Sequence, residues 1–292
     1  MLTLKSPAKI NWSLFVLDKR EDGYHNILSL MHCIGLYDTL TFDDADALEL
    51  VDGMDIPKEQ NLVFRAASAL REHTGVTKGA KITLEKEIPS GAGLGGGSSN
   101  AAYTLMGLNK LWGLGLDRGE LSSIGGRLGS DVPFFFRCPL AVAEGKGEVL
   151  TPLEIGVPHT VLLVKPAVSI STKWAYGAIH SHRKAGKELT KTGNKINNIQ
   201  LIYEALRTGS VSGLNPVIHN DFEEVVQREH PVIGSIKAEL LGCGAAGAVM
   251  SGSGSVVFGL FENKEQAWEA SWHFPHHFSK VVETLTTVTS NE

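Results

Sequence analysis

The stretch Pro89-Ser-Gly-Ala-Gly-Leu-Gly-Gly-Gly-Ser-Ser-Asn-Ala-Ala102 holds five glycines and three hydroxyls within fourteen residues. Backbone N–H groups bared of side chains, beside the positive end of a helix, form a natural seat for phosphate. Upstream, Ile82, Leu84 and Ile88 recur with a period of two, which predicts a strand over residues 80–88. Downstream, Ala101, Ala102, Leu105, Met106, Leu108 and Leu111 recur at helical spacing, with Ser98, Ser99 and Asn100 placed to cap that helix. Gly91, Gly93 and Gly96 satisfy G-x-G-x-x-G, yet a dinucleotide fold wants an acidic residue about 20 positions on, at the end of a second strand. That region reads Leu111-Trp-Gly-Leu-Gly-Leu116 and is no strand. Gly97 stands where a Walker loop needs lysine, and no HRD or DFG landmark of a protein kinase occurs. A bare glycine motif can be a simple turn; the flanking strand, helix and hydroxyls favour an anion site.

The elements that position this loop follow from the rest of the chain. Its 292 residues suffice for one large domain or two ordinary ones, and 42% hydrophobic with 20% charged residues is a soluble globular composition. A net charge of −5 and a pI near 6.1 speak against a broad nucleic-acid surface, so an anionic ligand must be held by local groups. Cys33, Cys138 and Cys243 are odd in number and form no C-x-x-C pair, which fits a reducing compartment. No signal-peptide core and no run of about 18 apolar residues is present, so the expected location is cytoplasmic.

Residues 8–17 alternate strictly: Ala8, Ile10, Trp12, Leu14 and Val16 point one way, Lys9, Asn11 and Ser13 the other. Taken alone, the polar stripe reads as the wet face of an antiparallel strand. Arg20-Glu-Asp-Gly-Tyr-His25 follows as a turn, with Asp22-Gly23 a strong hairpin signal. Residues 33–38 and 39–43 read as two short strands, and 61–73 as an amphipathic helix capped by Asn61. Residues 117–128 form a helix capped by Asp117. Gly129-Ser-Asp-Val-Pro133 then breaks the pattern, and Asp131 there has the ordinary reading of a capping carboxylate. Residues 140–150 read as a hairpin turning at Gly145-Lys-Gly147 and close a first domain, 1–156.

The second domain, 157–292, carries strands at 160–165, 248–250, 255–261 and 280–287, and helices at 172–184, 197–207, 232–241 and 264–273. That is β-α-β-β-α-β with added helices, the split arrangement of a ferredoxin-like domain. His180, His182, His273, His276 and His277 match no standard ligand spacing and read as surface residues. No metal ligands are assigned.

Pro89-x-x-x-Gly93-Leu-Gly-Gly-Gly-Ser-Ser-Asn-Ala resembles the second motif of the GHMP kinases, named for galactokinase, homoserine, mevalonate and phosphomevalonate kinases. Pro7-Ala-Lys-Ile-Asn11, Arg20-Glu-Asp-Gly-Tyr-His25 and Gly129-Ser-Asp-Val-Pro-Phe-Phe135 resemble the branch whose acceptor is a cytidine-diphosphate-linked methylerythritol. Met250-Ser-Gly-Ser-Gly254 resembles the third motif, so the likeness spans residues 7–261. The resemblance implies an α+β, two-domain architecture. Its N-terminal domain is ribosomal-protein-S5-like, its C-terminal domain ferredoxin-like, and the active site lies in the cleft between them. It also implies ATP-dependent phosphorylation of the acceptor's 2-hydroxyl in the non-mevalonate isoprenoid route; phosphoryl-transfer chemistry calls for Mg²⁺, whose ligands the sequence does not show, with Ser98 and Ser99 as candidates.

By the same resemblance, Lys9 and Asp131 are the catalytic pair, cation and base. Asn61 and Lys86 lie near adenine, although a helix cap and an exposed strand lysine are their plain readings. Pro89, Gly91, Gly93, Leu94, Gly95, Gly96, Gly97, Ser98, Ser99 and Asn100 surround the ATP phosphates. Asn11, Tyr24, His25, Thr172 and Tyr176 bind the acceptor, Tyr24 stacking on cytosine, His25 bonding to its edge and Tyr176 covering the opposite face. The implied partners are these two small molecules, with no nucleic acid and no membrane, for a monomer or homodimer. One departure is Cys138, where the family usually has glycine. Two alternatives stay open: another small-molecule kinase of the superfamily, which the Asp-Gly-Tyr-His signature opposes, and an inactive nucleotide sensor, which intact Lys9 and Asp131 oppose.

Overall fold

The tight turn at Asp22-Gly23, with Gly23 at φ 85°, folds the chain's longest extended runs against each other. They are β1 (Leu2–Lys19) and β2 (His25–Asp43) in a computed structural model that describes residues 1–54, 56–137, 139–184 and 195–287. The chain continues through β3 (Leu48–Val51), α1 (Leu62–Thr74), β4 (Ala80–Glu85), α2 (Gly96–Trp112), α3 (Arg118–Gly126), α4 (Phe134–Arg137), β5 (Leu140–Gly145) and β6 (Val149–Pro152). It then forms β7 (Thr160–Lys165), α5 (Thr172–Lys184), α6 (Lys195–Thr208), β8 (His219–Asn220), α7 (Phe222–Glu229), α8 (Val232–Gly242), β9 (Gly247–Met250), β10 (Val257–Phe261), α9 (Lys264–Ser271) and β11 (Phe278–Glu283).

Two sheets result. The first is ordered β3-β4-β2-β1-β8, with β5 pairing β2 and β6 pairing β5. The second is antiparallel throughout, in the order β11-β7-β10-β9. Numbered by its own strands that order is 4-1-3-2, the ferredoxin-like arrangement expected. The stretch from Ser6 to Val16 on β1 is buried on both faces. The apolar face of β1 meets the second sheet, where Trp12 packs edge-on against Phe258 at 5.3 Å between ring centroids. The opposite face turns toward α2 and the glycine loop.

Several expectations need correction. The polar stripe of β1 is not wet: Lys9, Asn11 and Ser13 are buried. Residues 33–43 are not two strands but part of one, and Asp38, at the expected junction, has its carboxylate held by four donors around the sheet. Ser98, Ser99 and Asn100 do not cap α2; the helix starts earlier, behind Gly95 at φ 69°, a left-handed conformation that favours glycine. His182 is buried and its Nδ1 accepts a hydrogen bond from Arg228. Asn61 and Asp117 do cap their helices, the latter in a capping box with Glu120. Cys138 lies outside the described residues.

Candidate active site

Lys9 is fixed first. Its backbone N–H donates to Leu94 O at 2.9 Å, and its Nζ donates to Gly93 O at 3.0 Å and to Asn11 Oδ1 at 2.6 Å. Asn11 is held in turn, its Nδ2 donating to Ser29 Oγ at 2.8 Å. Two of the three ammonium protons are thereby committed to protein oxygens. The remaining direction faces Asp131, whose Oδ2 lies 3.7 Å from Nζ. Burial lowers the pKa of Lys9 below the ordinary 10.5, and the Asp131 carboxylate opposes that shift. Asp131 itself sits just ahead of α4, with its side chain about one-third open to solvent.

The glycine loop and Ser251-Gly-Ser-Gly254 meet backbone to backbone beside Lys9. Ser251 Oγ donates to Gly93 O at 3.0 Å, and Val256 N donates to Ala92 O at 3.2 Å. A Cβ on Gly93, whose φ is +77°, would fall 2.0 Å from Ser251 O, and one on Gly95 would fall 2.9 Å from Lys9 Cγ. These two glycines are required for the approach itself. Asn220 holds the second loop from below, its Nδ2 donating to Met250 O at 2.6 Å and Gly252 O at 2.7 Å.

One cavity of about 1030 Å³ opens over this junction, lined by Lys9, Asn11, Tyr24, His25, Asn61, Lys86, Pro89, Gly91, Gly93 to Ser98, Asn100, Asp131, Thr172 and Tyr176. Of the residues the sequence proposes for the site, Ser99 alone is not on its wall. Its hydroxyl is buried without a hydrogen-bond partner among the described residues, whereas Ser98 faces the cavity. Among the described residues, five lysines, Lys9, Lys19, Lys86, Lys146 and Lys173, and a single carboxylate, Asp131, line the cavity, in a chain of net charge −5. The cavity is therefore a local positive well suited to polyanions.

Elsewhere on the cavity wall, His25 and Tyr176 stack on each other with ring centroids 5.1 Å apart and planes 17° from parallel. Tyr176 is half-buried, and this partial desolvation together with Asp131 pushes its phenol up to about 12, so it stays neutral. Tyr24 is 61% exposed, and Lys146 Nζ lies 4.9 Å from its ring centroid. Thr172 Oγ1 is 2.9 Å from Ser253 Oγ, which ties the start of α5 to the second glycine loop. Lys146 was not foreseen: at a hairpin tip between two glycines, its sequence signal is that of a turn. Asn220 and Ser29 were missed for a similar reason, since nothing local in the sequence marks their distant partners.

The N-terminal domain family of the GHMP kinases matches residues 61–138, and their C-terminal family matches residues 200–271. The chain belongs to the GHMP kinase family. It is 49% identical over 286 residues to a 4-diphosphocytidyl-2-C-methyl-D-erythritol kinase from Thermodesulfovibrio yellowstonii, covering 98% of each chain. It is 42% identical over 275 residues to the enzyme of that name from Alkaliphilus oremlandii, covering 92% of this chain and 91% of the other. Among solved structures, a 4-(cytidine 5'-diphospho)-2C-methyl-D-erythritol kinase superposes with a TM-score of 0.81 at 32% identity, covering 97% and 99% of the two chains.

Proposed function

We propose that this chain transfers the γ-phosphoryl group of ATP to the 2-hydroxyl of 4-diphosphocytidyl-2-C-methyl-D-erythritol, giving the 2-phosphate and ADP. The observation that carries the reading is the Lys9–Asp131 pair, 3.7 Å apart at the meeting point of two glycine loops in a lysine-rich cavity. The relatives' names supply the acceptor. An aromatic end with Tyr24, His25 and Tyr176 suits a cytosine ring, which gains about 1–3 kcal/mol from stacking.

In the mechanism, loop amides and the start of α2 hold the triphosphate. Asp131 accepts the proton of the attacking alcohol as the new O–P bond forms and the bond from the γ-phosphorus to the β-γ bridging oxygen breaks. The Lys9 ammonium, oriented by Asn11 and Gly93 O, stabilises charge spreading over the transferred group. Asn11 thus positions Lys9 as well as facing the acceptor. Asn61 and Lys86 lie toward the adenine end. Ser98 lines the cavity and its hydroxyl suits Mg²⁺, a hard cation with oxygen preference; Ser99, off the cavity wall, does not. When bound, the ion neutralises phosphate charge.

Offering the enzyme ATP with the cytidine-linked alcohol, homoserine or mevalonate, and following ADP release, tests the assignment. Release with the cytidine compound alone is expected. Turnover of either of the others, with none of the cytidine compound, would overturn it.

A further inference from the structure

We infer that Asp38 is a positioning residue for the nucleotide phosphates, acting through both ends of the glycine loop; this rests on the reading that the loop takes ATP. Asp38 is 0% exposed and does not line the cavity. Its Oδ1 accepts from Glu87 N and Ile88 N, each at 2.8 Å. Its Oδ2 accepts from Asn100 Nδ2 at 2.8 Å and pairs with the Lys86 ammonium. Residues 86–88 lead into the loop, and Asn100 lies on the first turns of the helix that leaves it. One carboxylate therefore clamps the two flanks of residues 89–95.

The loop needs such a clamp because Gly91, Gly93 and Gly95 all adopt positive φ and restrain little by themselves. Amides that must converge on phosphate bind more tightly when they are ordered beforehand. Four donors also use the acceptor capacity of an ionised carboxylate well, and bonds to its charge are the stronger kind. An amide cannot substitute. Asparagine at position 38 keeps an oxygen for Glu87 and Ile88 but turns its own N–H groups toward Lys86 Nζ and Asn100 Nδ2, donor against donor. Ser6 backs the arrangement, its hydroxyl donating to Asn100 Oδ1, with Asp38 O 3.4 Å from the same Oγ.

The test is Asp38→Asn, measured by calorimetric titration with Mg-ADP, by steady-state kinetics and by thermal melting. Weakening of ADP affinity and a rise in the KM for ATP of about tenfold or more are expected, with the KM of the alcohol changed less than about threefold. Wild-type ADP affinity in the folded variant, or equal losses for ATP and alcohol, overturns the assignment. Should the unpaired Lys86 ammonium prevent folding, Lys86→Met is compared with Asp38→Asn/Lys86→Met. Further loss of ADP affinity in the double variant is expected, and equality overturns the role. Wild-type protein that binds no ADP removes the ground for both readings. Wild-type protein that binds ADP but ignores the cytidine alcohol refutes the substrate, leaving the Asp38 comparison to be decided by the ADP titrations.

Discussion

Asp131 and Lys9 face each other across 3.7 Å, and the proposed mechanism gives the first the part of proton acceptor and the second that of fixed charge. Asp131→Asn keeps the shape and removes the base; kcat should fall by on the order of 10² or more, with both KM values little changed. Near-normal turnover in that variant would eliminate the base assignment. Lys9 makes a second prediction at the same scale. Burial depresses its pKa, so its positive charge is lost as pH rises through a value below the ordinary 10.5, and turnover should decline there. A kcat profile flat through pH 10.5 would contradict it. Tyr24 is exposed and contributes little to the core, so Tyr24→Ala should leave the melting temperature nearly unchanged. It should raise the KM of the cytidine alcohol about tenfold and spare that of ATP. Lys9, Asp131 and Tyr24 could be named from motif resemblance. The partners that hold Lys9, namely Asn11 through Ser29 and the Gly93 carbonyl, become visible only when β1, β2 and the loop are brought together.

At the scale of elements, the glycine loop reads clearly in the sequence, but the start of its helix does not. Serines and asparagine are ordinary caps, and they drew the predicted boundary toward residue 98, whereas α2 begins behind a left-handed Gly95. Local propensity was overridden by the need to bring Gly95 against Lys9 Cγ and Phe135. β2 is likewise one strand where two were expected, with Asp38, at the expected junction, held by four donors. The two-residue strand β8 offers no periodicity to detect, although Asn220 on it secures the second glycine loop. The loop-to-loop joint yields its own prediction. Gly93→Ala combines a φ of +77° with a Cβ 2.0 Å from Ser251 O. The two loops must separate, and melting should drop by the equivalent of about 1–3 kcal/mol with most activity lost. An active, equally stable Gly93→Ala protein would mean the joint tolerates opening.

For the molecule as a whole, the two sheets share a core along β1, and a buried imidazole sits in it. His32 Nδ1 accepts from Trp12 Nε1 at 3.2 Å, and its Nε2–H donates to Leu285 O at 3.0 Å, which assigns the neutral tautomer. Burial holds its pKa down to about 4 from the usual 6.5. The folded form resists the proton that the unfolded chain accepts. Its contribution is full above pH 6.5 and is lost as pH falls through 6.5 toward 4. At pH 5 the loss from this group is about 2 kcal/mol. Denaturant melts at pH 7 and pH 5 should differ by that order, and the difference should shrink in His32→Gln. Equal sensitivity to acid in both proteins would assign the effect elsewhere. The ferredoxin-like strand order was legible in the alternation of elements, while the packing of Trp12 between Phe258 and His32 was not.

Ser251 and Gly93 stand 158 positions apart and meet through a carbonyl, a hydroxyl and the space where a Cβ would be. The seam is thus defined mainly by atoms common to every amino acid, so single-codon changes offer few gradual ways to reshape it. New acceptor preferences in such a scaffold would be reached more readily by exchanging Tyr24 or Lys146 on the cavity wall, leaving the seam as inherited.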